Sequence, residues 1–240
     1  MHGTPPGPAV GALSLGGGPA PFAARNVVRT DSAERARREI GARIKPHRMA
    51  LAARSRTVEC CLNEVRLGAV SLFYLRYGSD LLVDPGPFDD FHILHINIAG
   101  ACDIVGSSSS RAVSGARAAI CPPDQALLFR FRPESEVVGI KVGCAALALH
   151  FQDLTGLPLQ GRLRFEEELN LASEAGRRIV NLIRFIDADS AQPGGLWSSP
   201  AGAAQLERLV LSTLLISQAS SHHALVNPPV SPAAPHYVRK

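Results

Sequence analysis

The chain has 240 residues, 46% of them apolar, and a formal net charge of +4. That is enough apolar material for one large core or two modest ones, and no uninterrupted apolar run approaches the roughly 18 to 20 residues that a membrane-spanning helix needs. The five cysteines, Cys60, Cys61, Cys102, Cys121 and Cys144, form no C-x-x-C pair and have no histidine at zinc-ligand spacing, so neither a disulfide framework nor a structural metal is indicated and reduced thiols in a cytosolic, cytoplasmic protein are expected.

Residues 1–24 carry Pro and Gly throughout and no Lys or Arg, which is wrong for a signal peptide and reads as a disordered tail. Over 25–56 comes an N-terminal helix and lead-in. In TDSAERARREIGARI, Asp31 is the expected N-cap, Glu34 stands at capping-box spacing, and Ala33, Ala36, Ile40 and Ile44 follow at helical intervals. The arginines here, Arg25 to Arg56, are interleaved with Asp31, Glu34 and Glu39 and lack an aromatic platform. A solvated helix face fits them better than a nucleic-acid surface. Pro46 ends the helix.

Residues 57–158 read as an antiparallel β-barrel with its closing helix. In AVSLFYLRYGSDLLVD, Phe73, Leu75 and Tyr77 alternate with Leu72, Tyr74 and Arg76. FHILHINIAG sets His92, Leu94, Ile96 and Ile98 on one side of a strand, the expected inner face, against Phe91, Ile93, His95 and Asn97. Short segments follow at close spacing (ACDIV, RAVSG, RAAICPPDQ, ALLFRFRPE, VVGIKVG), each bounded by Gly, Ser, Pro or Asp, and a barrel is the simplest way to bury them. CAALALHFQDLTGLP then forms a helix stopped at Gly156, with Pro158 just beyond.

Residues 159–222 read as a helical dimerisation part. LASEAGRRIVNLIRFID places Ala175, Ile179, Leu182, Ile183 and Ile186 on one stripe, and Ser199 caps a helix that begins at Pro200. In that last helix the apolar arc, with Leu206, Val210, Leu211, Leu214 and Leu215, is wider than one stripe. Something must cover it, and a homodimer partner or the barrel's outer wall are the two candidates. Residues 223–240 are Pro-dense and read as a linker.

Chemistry is harder to find. A small antiparallel barrel invites comparison with cupin enzymes, which hold a metal through an H-x-H pair, but His92 and His95 are three apart, and an odd separation on a strand sends two side chains to opposite faces. Ser107 to Ser110 reads as a turn between strands, without the strand-to-helix elbow that exposes a nucleophile, and G-x-G-x-x-G and Walker patterns are absent. No catalytic set, no metal site and no cofactor are expected.

The succession KPHRM, YGSDLLVD, DDFHILHINIAG, CPPDQALLF, LALHFQDLTGLPL, SSPAGAAQLERLVLSTLL and APHYVRK resembles the N-terminal ligand-binding-like domain of AraC/XylS-type transcriptional regulators, from about Arg25 to Lys240. The resemblance implies an α+β, mainly β fold: a cupin-like antiparallel β-barrel followed by a C-terminal antiparallel helix pair that serves dimerisation. It also implies an unknown small-molecule effector and a paired helix-turn-helix reader after the linker. The closing HYVRK resembles the start of that reader's first helix, so DNA contact is expected only through a domain absent from a truncated chain, with no membrane involved. Phe73, Leu75, Tyr77, His92, Leu94, Ile96, Phe129 and Val142 are the expected pocket residues. A cupin-type metalloenzyme using His92 or His95 is the alternative.

Overall fold

A computed structural model describes residues 19–52, 57–106 and 110–228. Most of the expected tail, Arg54 and Arg56, the serine turn up to Ser109, and the linker from residue 229 on, with HYVRK, lie outside these residues; the start of the expected linker forms a short helix instead. The elements run β1 (Asn26–Thr30), α1 (Ala33–Arg43), β2 (Arg48–Leu51), β3 (Cys60–Leu67), β4 (Val70–Arg76), β5 (Leu81–Gly86), β6 (Phe91–Ala99), β7 (Cys102–Val105) and β8 (Ser110–Val113). Then come β9 (Arg117–Cys121), β10 (Leu127–Phe131), β11 (Glu136–Gly143), α2 (Cys144–Thr155), β12 (Glu168–Asn170), α3 (Glu174–Ala191), α4 (Pro200–Ser217) and α5 (His223–Val226).

The strands pair as two antiparallel sheets, one of seven strands in the order β1-β3-β4-β11-β6-β9-β12 and one of five in the order β2-β5-β10-β7-β8. Among the described residues no ladder joins the sheets into the closed barrel expected from the sequence. Instead the protein is layered. One face of the larger sheet packs on the smaller sheet through Phe73, Leu75, Tyr77, Phe91, Ile93 and Val137 against Leu81, Val83, Phe129 and Phe131. The other face, with Leu72, Tyr74, Leu94, Ile96, Val138, Ile140 and Val142, is covered by α2, α3 and α4.

Register fixes which side chains share a face. Across the centre of the larger sheet, Phe73, Gly139 and His95 stand in one row facing the smaller sheet; the next rows, Tyr74–Val138–Ile96 and Leu72–Ile140–Leu94, face the helices. Val142 lies opposite Val70 and His92, again on the helical side. The inner face expected for β6 is therefore reversed: Phe91, Ile93 and His95 face the second sheet, while His92, Leu94 and Ile96 face the helices. Both faces of β6 are buried from Phe91 to Asn97, so hydrophobicity carries no directional signal along that strand.

The helix ends follow local chemistry. Ser32 caps α1 by accepting from the Arg35 N–H, one residue later than expected, and Ser199 caps α4 ahead of Pro200 as the sequence indicates. α2 ends on Gly156 in the left-handed conformation. Residues 19–24, the described end of the expected tail, pack on the fold. Phe22 is buried in the helical layer, its N–H donates to Asp187 Oδ1 at 2.6 Å, and the Arg25 guanidinium lies 3.7 Å from the Trp197 ring centre. Residues 159–222 also contribute a strand, β12, to the larger sheet, and α3 and α4 share one continuous core with it.

Candidate functional site

Between the sheets lies an aromatic-walled cavity of about 60 Å³, lined by Phe73 and Leu75 of β4, Ile93 and His95 of β6, Phe129 and Phe131 of β10, Val137 of β11, Val83 and Phe88. The ring of Phe88 stacks on Phe91 at 4.9 Å, and His95 stacks on Phe129 at 5.7 Å. Gly139 makes the Phe73 position possible, because a Cβ there would fall 2.1 Å from the Phe73 ring. Among the described residues the polar side chains lining the cavity are His95, His47 and Lys45, and His95 bonds Asn97 Oδ1 through Nε2 at 2.9 Å. Burial pushes its pKa down to about 4, so the imidazole is neutral at pH 7.

One end of the cavity is closed by the last turn of α1 and the residues after it, Ile40, Ile44, Lys45 and His47. Two lysines hold this closure. Lys141 of β11 donates to the Ile44 carbonyl at 2.7 Å and lies over the Phe91 ring, while Lys45 reaches the Pro87 carbonyl and Asp89. His47 bonds the Lys45 carbonyl through Nδ1, its buried Nε2 has no partner among the described residues, and burial lowers its pKa.

A family model described as the AraC-binding-like domain matches residues 36–215. The chain belongs to that family. Among solved structures, the AraC-like transcriptional activator CuxR is similar over 78% of this chain and 68% of its own, with a TM-score of 0.57 at 9% identity. A cupin-2 domain from Rhodospirillum rubrum aligns over 68% of this chain and 90% of its own, with a TM-score of 0.31 at 12% identity. No curated protein matches the chain. At 9% identity the CuxR likeness shows a shared fold.

Of the pocket residues expected from the sequence, this AraC-binding-like domain brings together Phe73, Leu75 and Phe129 at the intersheet cavity. Tyr77 belongs to the same core but packs edge-on against Phe131 at 5.0 Å instead of lining the space. His92, Leu94, Ile96 and Val142 are on the opposite face, separated from the cavity by the sheet itself. The residues missed were Ile93, His95, Phe131 and Val137. The alternation of Phe73 with Leu72 marked the right side of β4, but nothing in β6 marked which of its two apolar faces met it. The five expected dimer residues are also relocated: Leu206, Val210, Leu211, Leu214 and Leu215 are all at most 4% exposed and belong to the protomer's own core.

The metalloenzyme alternative needs convergent ligands. His92 and His95 project from opposite faces of the larger sheet, and among the described residues no three of His, Cys, Asp and Glu are grouped to hold an ion. No helix among those residues is long and apolar enough to cross a membrane, and no helix-turn-helix pair is found among them.

The packing at Gly139 gives a first prediction for the AraC-binding-like domain. Gly139→Ala drives the Phe73 ring toward the cavity, with an expected cost of about 1–3 kcal/mol. A lowered urea midpoint, together with loss of the cavity in a crystal structure of the variant, is the outcome to look for. Unchanged stability would mean that the ring is not seated over this glycine.

Proposed function

We propose that this AraC-binding-like domain is the sensory module of a transcriptional regulator. A small molecule is held between the two sheets, which act as the walls of a cupin-like container; the helical layer pairs with a second copy; and transcription is controlled through a DNA reader separate from the described residues. What supports the reading is the aromatic intersheet space, bounded at one end by Ile40, Ile44, Lys45 and His47, in a chain of this family. At about 60 Å³ the space is well below the roughly 150 Å³ that accepts a benzene in an engineered cavity. An effector of any size must therefore displace the Ile44–His47 closure, and that displacement is the signal.

Self-association would use the apolar residues that the protomer leaves outside. Leu209 and Ile216 of α4 and Leu149 of α2 are exposed, while His150 and Ser212 between them in sequence are tied by a 2.7 Å hydrogen bond. A second copy is the occupant proposed for this surface.

Two measurements test the proposal. Titration with benzene and small substituted arenes is expected to shift the methyl resonances of Leu75, Val83, Ile93 and Val137 together with those of Ile40 and Ile44. Saturable binding of none of them, or shifts confined to other residues, would remove the intersheet space from consideration. Sedimentation at increasing concentration is expected to show a dimer that Leu209→Glu disrupts; a monomer throughout would remove the pairing.

A further inference from the structure

The polar side chains of the intersheet cavity fall into two groups. Lys45 and His47 belong to the closure at its end, where the Lys45 ammonium is already engaged by the Pro87 carbonyl and the Asp89 carboxylate. His95 stands outside that closure, on a central strand of the larger sheet in one row with Gly139 and Phe73. Its chemistry is what a molecule between the sheets meets whatever the closure does.

The neighbours of His95 fix which ring nitrogen carries the proton. Residues two apart on a strand share a face, so Asn97 stands beside the imidazole, and its Nδ2 donates to the Ala99 carbonyl at 3.3 Å. That bond turns Oδ1, which can only accept, toward the ring, and His95 Nε2 lies 2.9 Å from it. Nε2 is therefore the N–H donor. Because burial keeps the ring neutral at pH 7, Nδ1 is bare and can only accept.

Nδ1 has no hydrogen-bond partner among the described residues. Unlike the sealed Nε2 of His47 it keeps some surface, and the small exposed fraction of His95, 4%, lies at the cavity that the ring lines. Native cores seldom leave a buried acceptor without a donor, and a donor that arrives with a ligand satisfies this one. The rest of the lining narrows the class. Among the described residues no acid lines the cavity, so a cation meets no counter-charge there. A carboxylate would set its own lone pairs against that of Nδ1. Phe73, Phe88, Phe129 and Phe131 offer ring faces and edges to a flat apolar body.

We infer that the effector of the intersheet cavity is a small neutral arene carrying a hydroxyl group, which donates its hydrogen to His95 Nδ1. The inference rests on the sensory reading above, since such a body enters only when the Ile44–His47 closure gives way.

Phenol is the probe, toluene its match without the donor, and benzoate its match with an anionic acceptor. Each is titrated into the full chain while the methyl resonances of Leu75, Ile93 and Val137 and the ring-nitrogen resonances of His95 are followed. Nδ1 of the free protein is expected to resonate as an unprotonated nitrogen. Phenol is expected to move it toward the protonated range, toluene to shift the methyl groups and leave Nδ1 alone, and benzoate to bind more weakly than phenol. That readout needs no variant. His95→Leu removes the acceptor and is expected to lower the affinity for phenol relative to toluene about tenfold, as for a buried donor left without its partner; toluene binding by the variant shows that its cavity is intact. Phenol and toluene both seated at the methyl groups with Nδ1 unmoved, benzoate bound more tightly than phenol, or an unchanged phenol-to-toluene ratio in His95→Leu would overturn the inference and leave the sensory reading standing. Binding of none of the three at those methyl groups would remove the cavity as a site, and the inference with it.

Discussion

Taking the protein from pH 7.5 to pH 4.5 is expected to cost it several kcal/mol of stability, the largest share through His92 and His95, one on each face of β6, with His47 and His150, also lowered by burial, adding in the same direction. Burial lowers both pKa values from 6.5 to about 4, and in His95 the Asn97 hydrogen bond only partly offsets it. The unfolded chain takes up protons near pH 6.5 that the folded chain refuses until about pH 4, so the unfolded state binds more protons throughout that window. Stability is therefore complete above pH 6.5, falls as the pH drops, and stops falling from this cause below about 4. Each residue contributes on the order of 3 kcal/mol across the window.

Depressed carboxylates such as Asp84, held down by Arg48, act only nearer the ordinary carboxylate range of about 4 and leave the upper part of the window to histidine. Urea midpoints at pH 7.5, 6.5, 5.5 and 4.5 check this. His95→Gln, which can still bond Asn97, is expected to reduce the slope clearly, whatever it does to the absolute midpoint. A midpoint independent of pH between 7.5 and 4.5 would mean that the imidazoles are not buried in these positions.

The same strand shows how far the sequence could be read. The elements were legible because their signals are local: Ser199 before Pro200, Gly156 at the end of α2, and turn residues between short apolar runs. The layering was not, because it depends on which of two apolar faces meets which partner. Leu94 and Ile96 suit a helical cover as well as a second sheet, and only the pairing of β6 with β11 decides it. Of the two covers the sequence offered for the wide arc of α4, a partner copy or the outer wall of the sheet, the structure supplies the second, and the sequence could not choose between them for a related reason. Leu206, Val210 and Leu214 satisfy any apolar surface, and the protein's own sheet and helices supply it. The odd spacing of His92 and His95 was the one long-range statement the sequence could make about β6, since strand geometry alone sends them apart. It places His95 at the intersheet cavity and His92 at a hollow beside the start of α2, whose walls come from segments as distant as Ala69 and Leu163 and so left no comparable trace.

Gly176→Ala reverses the usual sign of a glycine substitution in a helix. Propensity alone favours alanine by about 0.8–1 kcal/mol, and at Gly41 of α1, where a Cβ would meet nothing closer than Pro46 Cα at 3.4 Å, that gain is expected to appear as a melting temperature higher by about 2–4 °C. Gly176 stands in the first turn of α3, its N–H bonded to the capping Ser173 Oγ at 3.0 Å. A Cβ there would lie 2.3 Å from the Asn170 carbonyl oxygen and 2.4 Å from Leu171 Cα. Neither atom can swing aside. The Asn170 carbonyl already accepts from the Ser173 N–H and hydroxyl, and the Leu171 N–H is tied to the Ala116 carbonyl beside β9. Relief must come from α3 lifting off the β12 turn, which loosens Leu171 and Ile179, both at most 2% exposed, in the core shared with the sheet. Overpacking against fixed backbone costs about 3 kcal/mol or more, so a melting temperature lower by roughly 6–12 °C is expected. A Gly176→Ala protein that melts with or above the wild type, as Gly41→Ala should, would show that α3 is not seated on that turn.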